Sequence, residues 1–116
     1  MAKPEMEIQN TDHIPWEPVA GGGVSGAGSY QKILSMDPET GNYTRLLKVE
    51  PGVETTETLS HDVWEEVYVL EGTYYDKGKN ITLKPGMYGC RPPGMKHGPY
   101  SFPEGALCLE MRYRAQ

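Results

Sequence analysis

From Tyr30 onward, no stretch of this chain keeps apolar residues at the i, i+3, i+4, i+7 spacing that an amphipathic helix needs. Short runs of β-branched, aromatic and aliphatic residues follow one another instead, each cut off by glycine, proline, asparagine or aspartate. Ser29–Met36 meets Asp37-Pro38-Glu39-Thr40-Gly41-Asn42, and Tyr43–Val49 meets Pro51-Gly52. Glu54–His61 alternates and is polar, and Glu65–Glu71 carries the strongest strand signal, Val67-Tyr68-Val69-Leu70. Beyond Gly72, Thr73-Tyr74-Tyr75 and Ile81-Thr82-Leu83 flank a hairpin loop at residues 76–80. Met87–Arg91, His97–Phe102 and Ala106–Arg114 follow, separated by Pro92-Pro93-Gly94 and Pro103-Glu104-Gly105. The 14 glycines and 10 prolines fall between these runs, which is punctuation and not low complexity. Many short antiparallel strands in 116 residues imply one all-β domain, a sandwich or a closed barrel whose edges are hidden.

Several function classes are excluded at this level. The formal charge is −5 and no run of lysine or arginine exists, so no nucleic-acid partner is expected. The start, Met1-Ala2-Lys3-Pro4-Glu5-Met6, lacks the apolar core of a signal peptide, and no segment is apolar enough to span a bilayer. A cytoplasmic protein with no membrane partner is the expectation. Cys90 and Cys108 are too few and too far apart for a disulfide framework and read as buried free thiols. Residues 1–28 form an extended arm and a glycine-rich loop, with Trp16 expected to pack on the exterior of a barrel built from residues 29–116 or on a partner subunit. The two prolines of Ile14-Pro15-Trp16-Glu17-Pro18-Val19 argue against strand pairing there, and His13 is expected to be exposed. Gly21–Gly28 contains a G-x-G-x-x-G pattern, but no strand precedes it and no helix follows, so a dinucleotide site is rejected.

The chemistry concentrates in Ser60-His61-Asp62-Val63-Trp64-Glu65-Glu66 and in His97, within Pro93-Gly94-Met95-Lys96-His97-Gly98-Pro99. His61 and Glu65 stand at the ends of two strands joined by Asp62-Val63-Trp64, and His97 begins a third. Imidazole nitrogens and a carboxylate oxygen suit Fe, Mn, Ni, Cu or Zn. A histidine on a strand also serves as a hydrogen-bonded structural group, and spacing alone leaves both roles open.

These residues resemble the two signatures of the cupin superfamily. His61-x3-Glu65-x6-Gly72 matches the second half of G-x5-H-x-H-x3,4-E-x6-G, and Gly86-x5-Pro92-x-Gly94-x2-His97 matches G-x5-P-x-G-x2-H-x3-N up to its last position. The stretch is similar to the cupin domain of zinc-dependent anti-sigma factors and to small cupins related to diketone-cleaving dioxygenases. The resemblance implies a jelly-roll barrel, the antiparallel double-stranded β-helix, with His61, Glu65 and His97 as ligands of a divalent transition metal. Glu65 is preferred over Glu66 because only Glu65 leaves six residues before Gly72. Leu59 stands where the family's first histidine falls, and Ser101 where its asparagine falls. Glu57 is a weaker candidate to replace the missing ligand and reads first as a solvent-facing carboxylate.

By alternation, Tyr88 and Cys90 are expected to line the pocket, with Arg91 pointing the other way and Tyr68 outward. No separate general base is evident, so Glu65 and Tyr88 are the candidate catalytic groups. In the last strand, Leu107, Leu109, Met111 and Tyr113 are expected to meet the core, and Glu110 and Arg112 to lie at the surface or a subunit interface. A Glu110–Arg112 pair facing the cavity would be a handle for a substrate carboxylate. The resemblance implies a metal-dependent enzyme acting on a small molecule, foremost by oxidative cleavage of a ketone, diketone or organic acid. Lyase and isomerase chemistry run on the same scaffold. A sensing module and a metal-free structural cupin are the alternatives, and a homodimer is expected.

Overall fold

Alternation decides which side of each strand is buried. In the computed structural model, which describes residues 3–19 and 28–114, strand β3 (Tyr43–Val49) buries Arg45, Leu47 and Val49 and leaves the residues between them half-exposed. Strand β5 (Val63–Gly72) buries Glu65, Val67 and Val69 by the same rule, and β10 (Ala106–Arg114) buries Ala106, Cys108 and Glu110. The registers Cys108↔Leu47, Cys108↔Val69 and Glu110↔Val67 put these sets on one inner face.

Among the described residues, ten strands build two antiparallel sheets. The larger has the order β1-β2-β3-β10-β5-β8, with β1 at Glu17–Pro18, β2 at Ser29–Met36 and β8 at Tyr88–Arg91. The smaller has the order β4-β9-β6-β7, with β4 at Val53–Glu54, β6 at Tyr74–Asp76, β7 at Ile81–Leu83 and β9 at Tyr100–Phe102. Their inner faces enclose one core, to which the second sheet contributes Tyr74, Tyr100 and Phe102. Tyr74 stacks on Phe102 at 4.8 Å and meets Tyr100 edge-on at 5.8 Å. Each such pair adds about 0.5–1.5 kcal/mol beyond area burial. This is the all-β jelly-roll arrangement expected, and among the described residues no helix forms and none is long and apolar enough to cross a membrane.

Gly72 ends β5 at φ +83°, and a Cβ placed there would run into the carbonyl oxygen of Gly105 and lie 2.9 Å from Ala106 Cα. The glycine of the first signature is therefore a point where two backbones touch.

Four expectations are corrected. The inner face of β10 carries Cys108, Glu110 and Arg112, and the set Leu107, Leu109, Met111 and Tyr113 lies half-exposed on the outer face. The polar segment Glu54–His61 is not a strand, since β4 ends at Glu54 and only Leu59 is bridged, to His97. Asp62-Val63-Trp64 is not a connection throughout, because β5 begins at Val63. Glu17 and Pro18 do pair with β2, which the proline permits because β1 is a sheet edge.

Trp16 lies on the barrel exterior, its ring under the ammonium groups of Lys32 at 4.9 Å and Lys48 at 4.4 Å. His13 is exposed, as expected. The glycine-rich loop falls outside the described residues apart from Gly28.

Candidate metal centre

Glu65 is the centre of the site. Strand parity turns it into the barrel, where it is 2 % exposed, and a carboxylate so placed must be paired. Its cross-strand neighbours on both sides are arginines, Arg91 on β8 and Arg112 on β10. Directly opposed residues share a face, so both guanidiniums enter the interior with it. Arg91 Nη1 donates to Oε1 at 2.7 Å and Arg112 Nε to Oε2 at 2.8 Å. Burial works to raise the Glu65 carboxyl, but Arg112 and Arg91 outweigh it and hold the group below its ordinary pKa.

The two histidines are carried by loops that the main chain ties together. Leu59 N–H donates to His97 O at 2.7 Å and His97 N–H returns to Leu59 O at 2.9 Å. Gly94 N–H reaches His61 O at 2.8 Å. The ring centroids of His61 and His97 lie 5.1 Å apart, and His61 Nε2 is 3.5 Å from Glu65 Oε2. His97 Nδ1 is 2.5 Å from the Tyr100 hydroxyl, which anchors the ring to the aromatic core. With Nδ1 carrying the proton and donating to the Tyr100 oxygen, the lone pair of Nε2 faces the cavity.

This donor set fits a divalent metal. One ligand atom each from His61, Glu65 and His97 lies within 4.8 Å of the others, and an inward shift of a few tenths of an ångström brings all three within the reach of bonds of about 2.0–2.2 Å. Nε2 of both histidines is buried with no hydrogen-bond partner among the described residues, a cost that a metal bond removes. Each Glu65 oxygen meets one guanidinium, and a carboxylate has about four acceptor positions, so acceptor capacity remains on both oxygens.

Both imidazoles are held neutral, as a ligand must be. Burial and then the Arg91 charge depress His97 to about 4, and burial and then Arg112 lower His61. A base depressed in the folded state binds its proton more readily when unfolded. The stability that its neutral form contributes is therefore full above the ordinary value of 6.5 and is lost as pH falls from there towards about 4. Urea unfolding of the metal-free protein is expected to lose about 2 kcal/mol across that window through His97. A midpoint unchanged between pH 7 and pH 4.5 would contradict the burial assigned to the ring.

Around this cluster the cavity is lined by Arg45, Leu59, Tyr74, Tyr100, Cys108 and Glu110, among others. Arg45 is fully engaged: Nε and Nη2 contact Glu110 Oε1 at 2.9 and 2.8 Å, and Nη1 donates to Gln31 at 2.7 Å. The cavity volume is about 30 Å³, room for two or three waters at roughly 10–15 Å³ each.

The structure thus brings His61, Glu65 and His97 together and leaves Tyr88 out. Tyr88 is 56 % exposed on the outer face, its hydroxyl donating to Glu66 Oε1, and Cys90 beside it is exposed too. Their place in the cavity wall is taken by Arg91, the residue expected to point away. The cause is register: Glu65↔Arg91 and Val67↔Gly89 face inward, so Glu66↔Cys90 and Tyr68↔Tyr88 face outward. Of the two thiols only Cys108 is buried, and burial pushes it up to about 12 although the hydrogen bond with the Tyr74 hydroxyl works the other way. Leu59 points its side chain at the cavity without ligating, and Glu57 is exposed. Sequence reasoning missed Arg45, Arg91 and Tyr100; the sequence signal for the first was an arginine in register with the inward residues of Tyr43–Val49.

Comparison with known proteins agrees with this architecture. The family model described as the ChrR cupin-like domain matches residues 4–115. Among solved structures, an RmlC-like cupin from Shewanella frigidimarina superposes with a TM-score of 0.75 at 19 % identity, over 100 % of this chain and 96 % of that one. An acetylacetone dioxygenase from Acinetobacter johnsonii gives 0.71 at 19 % identity, over 95 % and 74 %. The polyketide cyclase RemF from Streptomyces resistomycificus gives 0.73 at 20 % identity, over 96 % and 81 %. At such identities the likeness is one of fold. No curated protein gives a significant sequence match.

Proposed function

We propose that this chain, which belongs to the ChrR cupin-like family, holds a divalent transition metal on His61, Glu65 and His97 and carries out dioxygenase-like cleavage of a small enolisable carbonyl compound. The observation that carries the reading is the pair of buried, unpartnered Nε2 atoms converging with a carboxylate. Two histidines and one carboxylate suit Fe, Mn, Ni, Cu or Zn and leave coordination positions open. Such a metal would supply Lewis-acid polarisation of a carbonyl and, if redox-active, chemistry with dioxygen.

The protein's own residues do the rest. Arg91 and Arg112 fix the Glu65 carboxylate in one orientation, and Tyr100 fixes the His97 ring. Leu59, Tyr74, Cys108 and Phe102 keep the wall of the small cavity largely apolar. With a 1,3-dicarbonyl compound the overall reaction balances with one dioxygen: one carbon–carbon bond breaks, and a carboxylic acid and a 1,2-dicarbonyl fragment take up both oxygen atoms. A second reading, a sensing module that binds without turnover, is favoured by the small cavity and by the ion pairing of both its carboxylates.

Metal analysis separates these readings. Protein purified without chelator or nickel resin is expected to carry close to one equivalent of metal, and His97→Ala less than about a tenth of that. Oxygen uptake with a panel of 1,3-dicarbonyl compounds is then expected in the loaded protein alone. Metal retention with no uptake moves the assignment to the sensing module. Wild-type protein that retains no metal, or a His97→Ala variant that retains as much, sinks the metal centre itself.

A further inference from the structure

We propose that Arg91 and Arg112 form an anion subsite beside the metal cluster, which seats the carboxylate of a small organic acid. This deepens the function proposed above by naming the substrate class, and its catalytic meaning rests on that reading, whereas anion binding itself does not.

Guanidiniums outnumber carboxylates among the residues that line the cavity. The cavity wall holds the guanidiniums of Arg45, Arg91 and Arg112 and the carboxylates of Glu65 and Glu110, three positive charges less two negative, or +1 with the imidazoles counted as neutral. A protonated imidazole or a divalent cation only adds to this excess. A surplus charge in a low-dielectric interior is costly unless a counter-ion accompanies it. One more carboxylate, Asp76, is buried within the barrel, but its oxygens accept from the main-chain N–H groups of Lys79 and Gly98 and it does not line the cavity.

The hydrogen bonds show where the counter-ion sits. Arg45 is spent on Glu110 and Gln31. Arg91 uses only Nη1 on Glu65, and Arg112 only Nε, so Arg91 Nε and Nη2 and both Nη groups of Arg112 have no hydrogen bond to another described residue. Both side chains remain partly accessible, at 14 % and 18 %. Each guanidinium therefore keeps spare N–H donors beside the Glu65 carboxylate, the fork that recognises a second carboxylate. Space for two or three waters admits a carboxylate group but no bulky acid. The remainder of the ligand would extend towards the surface formed by Ser60, His61, Asp62, Pro93 and Gly94.

The test compares isosteric probes that differ in charge, acetoacetate against acetoacetamide, by calorimetric titration of metal-free protein in chelator at constant ionic strength. The acid is expected to bind at least about tenfold more tightly than the amide, as hydrogen bonds to charged groups imply. Arg112→Gln and Arg91→Gln are each expected to remove about tenfold of that preference. Equal binding of acid and amide, or an acid signal that chloride reproduces at the same concentration, overturns the subsite. The probe comparison needs no variant, so it decides the matter even where an arginine substitution fails to fold. A charge preference in protein that never retains metal sustains the subsite and sinks the metal centre; full metal loading with no charge preference does the reverse.

Discussion

Glu65→Ala is expected to cost about 3–5 kcal/mol of folding stability and to abolish metal retention, the largest combined effect of any single change in this chain. The carboxylate is 2 % exposed and is the common partner of Arg91 and Arg112. Removing it strands two guanidiniums in the interior, facing Arg45 with only Glu110 left among the cavity carboxylates. Arg91 is then left without a carboxylate partner and Arg112 with only the Glu110 charge nearby, and that penalty, more than the lost attraction, sets the size of the effect. Urea unfolding followed by fluorescence measures it, with metal content determined on the same preparation. Arg112→Gln is milder, because Arg91 still pairs with Glu65. A Glu65→Ala midpoint within about 1 kcal/mol of wild type would mean that the guanidiniums find water on their own, and the account of the buried triad would be wrong.

Gly72→Ala comes second, at roughly 3 kcal/mol or more, and acts at the opposite end of β5 from Glu65. Two costs add: a left-handed backbone at φ +83°, and a methyl group driven into the carbonyl of Gly105 where β5 passes the start of β10. Neither backbone gives way cheaply, since both belong to the paired strands that hold Glu65 and Arg112 in register. Gly86 is the internal control. It has φ +92° but nothing within 4 Å of the place an alanine methyl would occupy, so Gly86→Ala is expected to cost only the backbone part, about 1–2 kcal/mol. Equal losses at the two glycines would show that steric contact at Gly105 contributes nothing.

The convergence of His61, Glu65 and His97 was legible in sequence because signature spacing counts residues and the count survives folding. The architecture was legible because turn chemistry at Pro51-Gly52, Pro92-Pro93-Gly94 and Pro103-Glu104-Gly105 marks where strands end. Strand orientation was legible only inside β5, where Glu65 serves as an origin. In β10 the rule that apolar residues face inward gave the inverse answer, because this barrel places Arg45, Glu65, Glu110 and Arg112 in its interior. Its outer face, meanwhile, carries Leu107 beside Trp16 of the N-terminal segment. Hydropathy could not see that exchange. In β8, parity depends on register with β5, which in turn depends on how β6 and β7 are threaded between them, and no local pattern states it.

The reciprocal main-chain bonds between Leu59 and His97 bear on how such a site changes over evolutionary time. They place both loops whatever side chain stands at position 59, so the scaffold for the centre is independent of the complement of ligands it displays. Because Leu59 already faces the cavity, a single substitution there adds or withdraws a donor without rebuilding the loop. The frame of backbone hydrogen bonds is thus set apart from the side chains it presents to the cavity.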